Sequence, residues 1–254
     1  MTTEIILLCI AAFSAGFIDA IVGGGGLIQT PAGLVLLPQY PVATVIGTLK
    51  IPAFTGTFFA AAQYAKRVQF NYKQLLLMTS IAFMAAFAGS KLLTVVSNAF
   101  MKPLLLLVLI AVAVYTYRNK NFGTHTEKSH SVKRQGWYAV LVSLVIGFYD
   151  GFIGPGAGSF LVLSFISLLG FDFLRASAHA KFVNLATNLG SIVFFAASGK
   201  IIYAIALPMA VCNGMGGLLG ARLALLKGNA FIRVLFLAVV TGTIIRFAYD
   251  VFFR

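Results

Sequence analysis

Lys50 and Lys181 are the residues of this chain best placed by type and setting to act on a solute. Each sits inside an otherwise apolar stretch, Lys50 in VATVIGTLKIPAFTGTFF and Lys181 in ASAHAKFVNLATNLGSIVFF. A charged side chain deep in such a stretch costs ~2.5–3.5 kcal/mol on membrane-insertion scales, so it normally faces a cavity, a partner or a substrate. The structural alternative is a long lysine stem lifting its ammonium to the interface. That alternative weighs more for Lys181, which is only five residues into its apolar run. Polar neighbours share the lysine faces: Asn184 and Asn188 follow Lys181 by three and seven positions, and Thr57 follows Lys50 by seven. They suit hydrogen bonding to an anion and interhelical packing equally well. His179 lies two residues before Lys181; polar packing is its plain reading and proton coupling the sharper one.

Two glycine-rich breaks carry the second signal. Gly23, Gly24, Gly25 and Gly26 precede a short apolar run, 27–38, and Gly154-Pro155-Gly156-Ala157-Gly158 precedes another, 159–170. Twelve residues make a helix of ~18 Å, too short for ~30 Å of hydrocarbon. Such paired, interrupted segments point to a transporter binding site. A helix N-terminus offers unpaired N–H groups and partial positive charge, and glycine lets that backbone approach an anion closely. Asp19 and Asp150 stand one turn before the breaks. In lipid an unpaired carboxylate would be protonated or paired. Pairing with a lysine, or bonding the free N–H groups of the break, is expected of them, with a proton relay as the alternative.

Other chemistry is not called for. There is no HExxH, no GxSxG and no pair of catalytic carboxylates on one helix, so no catalytic residue is assigned. With six acidic residues and three histidines, neither a metal site nor a cofactor is expected. Cys9 and Cys212 lie in apolar stretches without metal or disulfide spacing.

The elements that must position these residues are membrane helices. The chain is 60% hydrophobic and 10% charged over 254 residues, against roughly 25% charged in soluble domains. Apolar runs cover 5–22, 43–64, 74–95 and 100–117, then 137–154, 176–198, 203–226 and 231–253. The fold expected is an all-α, polytopic membrane protein. The N-terminus MTTEIILLCI has no basic leader, so its first run is expected to be a retained span rather than a signal peptide.

A shift of 131 residues lays the sequence on itself without a gap. Asp19 meets Asp150, Gly23 and Gly25 meet Gly154 and Gly156, Lys50 meets Lys181, Tyr72 meets Tyr203, Gly89 meets Gly220, and Asn98-Ala99-Phe100 meets Asn229-Ala230-Phe231. Polar residues and glycines do not align this way by general hydrophobicity, so the chain reads as two homologous repeats. Repeat one is 1–117 and repeat two 137–254, joined by a polar, basic linker 118–136 that contains His125 and His130, both read as solvated. The net charge of +13 resides largely in short loops. It is read as orienting basic loops toward the cytoplasm, not as binding nucleic acid. That bias favours an inverted arrangement of the repeats.

The motifs GFIDAIVGGGG followed by LIQTP, and GFYDGFIGPGAGSF followed by HAKFVNLATN, resemble the TauE/SafE family of bacterial inner-membrane proteins over nearly the whole chain. Pro155 and Ala157 depart from a plain glycine run in the second break. The resemblance implies a transporter of small sulfur-containing anions in a bacterial inner membrane, with the breaks and the lysine helices matching the family's repeated motif. The expected function is secondary transport of a small anion by alternating access. A non-transporting scaffold or accessory subunit and a passive anion channel remain the alternatives. The expected partners are an anionic solute and the lipid bilayer; the sequence leaves monomer or homodimer open.

Overall fold

A computed structural model of the chain describes residues 2–97, 99–101, 103, 104, 107 and 132–227. The principal helices are α1 (Thr2–Val22), α2 (Gly26–Leu36), α3 (Val42–Tyr64), α4 (Tyr72–Val95), α5 (Val132–Phe152), α6 (Ala157–Leu169), α7 (Phe173–Ala197) and α8 (Tyr203–Lys227), and there is no strand among the described residues. Five of them, α1, α3, α4, α7 and α8, are long and apolar enough to cross a bilayer. The molecule is a multi-helix membrane protein, and its surface says so. Leu76 and Met84 on α4, Leu141 and Val145 on α5, and Leu207 and Val211 on α8 are all exposed, while Lys50, Asp150, Lys181, Asn184 and Asn188 are buried. An apolar exterior around a polar interior suits hydrocarbon as the solvent.

The breaks form as expected. α2 has 11 residues and α6 has 13, about 16–20 Å each, so neither crosses the hydrocarbon alone. Two expected boundaries move. Helix α5 begins at Val132, so residues 132–136 of the expected linker are already helical. Helix α7 begins at Phe173, three residues before its apolar run, because the Asp172 carboxylate accepts the Arg175 N–H at 2.8 Å and caps the first turn. Lys50 and Lys181 therefore both come eight residues after the first residue of their helices. The rest of the linker with His125 and His130, the run 231–253 and most of 100–117 lie outside the described residues.

The two halves interlock through their fourth helices. α4 packs on α5 and α7, and α8 packs on α1 and α3 through close glycine contacts. A methyl group added at Gly89 would lie 2.2 Å from the Phe148 carbonyl oxygen, and one at Gly220 would lie 2.3 Å from that of Phe17. Likewise Gly147 sits against Ala82, and Gly16 against Asn213. Each of these pairs maps onto the other by the 131-residue shift, so the packing is compatible with two copies of one unit. Small residues permit such backbone approach between membrane helices.

Candidate functional site

Each break turns at its first glycine. Gly23 has φ +82° and Gly154 φ +93°, conformations that L side chains rarely adopt. The two turns touch. A methyl at Gly23 would lie 2.4 Å from the Gly158 carbonyl carbon, and one at Gly158 would lie 2.4 Å from the Gly23 carbonyl oxygen. Gly26, the first residue of α2, lies against Pro155 and Gly156, which lead into α6. The N-termini of the two short helices thus meet in the interior of the molecule.

The lysines and aspartates pair across the halves. The Lys50 ammonium donates to Asp150 Oδ1 at 2.9 Å and to the Asp150 carbonyl at 2.7 Å. The Lys181 ammonium donates to Asp19 Oδ2 at 2.9 Å and also to the Asp19 carbonyl. In each case the lysine of one half reaches the last turn of the first helix of the other, just before the break. The surroundings of the two pairs differ. Side-chain exposures are 7% and 6% for Lys50 and Asp150, but 1% and 16% for Lys181 and Asp19. Thr187 donates a hydrogen bond to Asp150 Oδ2. Asp19 receives the Gly25 N–H at 3.3 Å and the Thr57 hydroxyl at 3.5 Å, both long contacts. Neither lysine snorkels: both heads are held in the interior.

A cavity of about 60 Å3 lies at this crossing, room for a few waters or one small solute. Asp19, Lys50, Thr57, Asp150, Asn184 and Asn188 line it, with Gly23, Gly25, Gly26, Gly154 and Gly156 of the breaks. The structure therefore brings together most of the residues singled out by sequence. Lys181 sits behind Asp19, outside the lining, and Gly24 is also outside it. His179 is apart from the site: its ring packs on Phe70 and Phe171 at 4.9 and 4.7 Å, and Nδ1 bonds the Arg175 carbonyl at 2.8 Å. Two residues along a helix is about 200° of rotation, which turns His179 away from the face that Lys181 presents. Among the described residues no cluster of three or more metal-ligating side chains exists.

Four lining or bonding residues escaped the sequence reading. Thr187 clamps Asp150, and Gln29, Thr30 and Asn213 line the cavity. Their signal was weak because uncharged polar residues are common in membrane helices. Gln29 and Asn213 also align with Phe160 and Ala82 across the 131-residue shift, so the search for shared residues passes over them.

The profile of the sulfite exporter TauE/SafE family matches residues 8–247. A "probable membrane transporter protein" of Sinorhizobium is 36% identical over 243 residues, covering 96% of this chain and 92% of that protein. One of Haemophilus influenzae is 34% identical over 230 residues, 90% of this chain and 88% of its own. The Escherichia coli protein YfcA, also named a probable membrane transporter, is 33% identical over 245 residues, 96% and 89% of the two chains. No solved structure gives a significant match.

Proposed function

The chain belongs to the sulfite exporter TauE/SafE family of membrane transporters, and from that premise we propose that it is a secondary transporter of a small sulfur-containing anion, such as sulfite, thiosulfate or a sulfonate, working by alternating access. The supporting observation is the cavity at the crossing of the two breaks, closed by one Lys–Asp pair from each combination of halves. Two lysines and two aspartates sum formally to zero, so the site's own side chains balance in formal charge. An anion entering it meets the N-termini of α2 and α6, which favour negative charge. It then competes with a carboxylate for a lysine ammonium. Exchange of carboxylate for solute loosens a latch between the halves, which ties binding to the rearrangement that alternating access requires. The bacterial relatives and the basic loops support a bacterial inner membrane, with the halves inverted and the linker on the cytoplasmic side.

The test is transport by the purified protein in liposomes. Saturable uptake of radiolabelled sulfite, accelerated by sulfite on the opposite side, is expected from the wild type and not from Lys50→Ala/Asp150→Ala. That double variant removes both charges together and spares the fold an unpaired ion. Undiminished flux in the double variant would refute the mechanism. Flux without saturation or counterflow would instead indicate a channel, and activity only with a second protein an accessory subunit.

A further inference from the structure

We propose that Gln29 and Asn213 form an uncharged recognition subsite in this cavity, one that takes an acceptor oxygen of the solute and orients it toward the first break. The inference rests on the transport reading and specifies how the same cavity selects its solute.

Gln29 lies in the first turn of α2 and Asn213 on α8; they are 4% and 3% exposed, and both line the cavity. Gln29 Nε2 donates to the Leu49 carbonyl at 2.8 Å, and Gln29 Oε1 accepts from Asn213 Nδ2 at 2.7 Å. The chain of bonds sets both amides. Turning Gln29 over would oppose its oxygen to the Leu49 oxygen and its nitrogen to the Asn213 nitrogen. Asn213 is held in place between two helices, its Oδ1 lying where methyl groups on Gly16 and Gly56 would be.

A primary amide carries two N–H donors. Each of these two uses one, and the other has no acceptor among the described residues. A buried polar group left unsatisfied is costly, and these second donors belong to side chains that line a cavity beside ammonium groups already paired with carboxylates. Donors without net charge recognise an anion's oxygen without trapping it, which suits a solute that must leave again. They also discriminate: a site built to hydrogen-bond a polar atom rejects analogues that lack it. The second break has no equivalent pair, since Phe160 and Ala82 stand at the aligned positions. The solute is therefore held asymmetrically, its acceptor oxygen at Gln29 and Asn213.

The test uses the full chain in detergent and liposomes with a panel of sulfite, thiosulfate, methanesulfonate, acetate and phosphate. Gln29→Glu is the informative variant. In its protonated form that carboxyl retains the bonds to Leu49 and Asn213 and lacks only the second hydrogen. Thermal shift reads binding, since a ligand that prefers the folded state raises its melting point. We expect the unliganded melting point of Gln29→Glu to match the wild type, the anion-dependent shift to vanish, and the transport KM to rise at least about tenfold with an altered ranking of the panel. Gln29→Met, which loses all the bonds, should match Gln29→Glu in anion response. If the wild type responds to sulfur anions and both variants respond equally with the same ranking, the subsite is refuted and the transport reading stands. If the wild type responds only to acetate or phosphate and Gln29→Glu abolishes that, the subsite stands and the sulfur assignment falls. A wild type that responds to none of the panel refutes both.

Discussion

The two breaks solve one problem with unequal stiffness. At the second, Asp150 is gripped by Lys50 and Thr187, and α6 is bounded by Gly156 and Gly170, both left-handed, at φ +83° and +75°. At the first, Asp19 has one strong partner in Lys181 and two long contacts, keeps 16% exposure, and leads into an α2 that is two residues shorter than α6. The uncharged amides Gln29 and Asn213 also face the cavity from the side of the first break. A tightly bonded break and a more loosely bonded one would divide the labour in the alternating access proposed above. The difference teaches that two halves that align in sequence need not build the same site.

The largest effect should come from unpairing the stiffer half. Lys50→Ala strands Asp150 at 6% side-chain exposure, and breaking a buried pair in this way costs about 3–5 kcal/mol. Lys181→Ala strands Asp19 at 16% exposure, where partial solvation softens the loss. Melting points in detergent should therefore fall well below wild type for Lys50→Ala and less for Lys181→Ala, while transport is lost in both. Equal drops would erase the proposed difference between the halves.

Next come the turns themselves. Gly23→Ala meets both a strained φ of +82° and the Gly158 backbone at 2.4 Å. Left-handed strain costs about 1–2 kcal/mol and overpacking about 1–3 kcal/mol more. Gly154→Ala meets the same kind of strain with a milder contact, its nearest neighbour being the Asp150 carbonyl oxygen at 3.3 Å. The melting point of Gly23→Ala should be the lower of the two. Smaller again is the contrast between Thr187→Val and Thr57→Val. The first removes a hydrogen bond to a buried carboxylate, worth about 1.5–3 kcal/mol; the second removes a contact of 3.5 Å and should change the melting point little. A larger loss in Thr57→Val would invert the ranking of the two carboxylate environments.

How much of this could be read from sequence depended on how costly each residue is in lipid. Lys50, Lys181, Asp19 and Asp150 stood out because an ion in an apolar run demands a reason. The short helices stood out because a dozen residues cannot span hydrocarbon. The partners of those ions did not stand out. Lys50 is 100 residues from Asp150 and Lys181 is 162 from Asp19; only the crossing of the two breaks decides that each lysine serves the opposite half. His179 was drawn toward the site by its closeness in sequence to Lys181, and helical rotation carries it away. Gln29 and Asn213 were hidden by the repeat itself, because aligning halves rewards what they share.

The smallest expected effect bears most directly on why the two breaks differ in sequence. Pro155 and Ala157 interrupt the glycine run of the second break at the positions aligned with Gly24 and Gly26. A methyl at Gly24 would find its nearest neighbour, Ser159 Oγ, at an ordinary 3.6 Å, and Gly24 is not among the described glycines with positive φ. Gly24 is thus the member of the cluster with neither a steric nor a conformational need for glycine, and its counterpart is free to be proline. At Gly25, by contrast, a methyl would lie 2.6 Å from the Ala15 carbonyl oxygen, and its counterpart Gly156 is still glycine. Gly24→Ala should therefore leave transport intact and hold or raise the melting point, since Gly→Ala at a compatible site gains ~0.4–1 kcal/mol by narrowing the unfolded ensemble. Gly25→Ala should lower it. Loss of transport in a stably folded Gly24→Ala would show that this glycine serves motion in the looser break, a role its geometry at rest does not display.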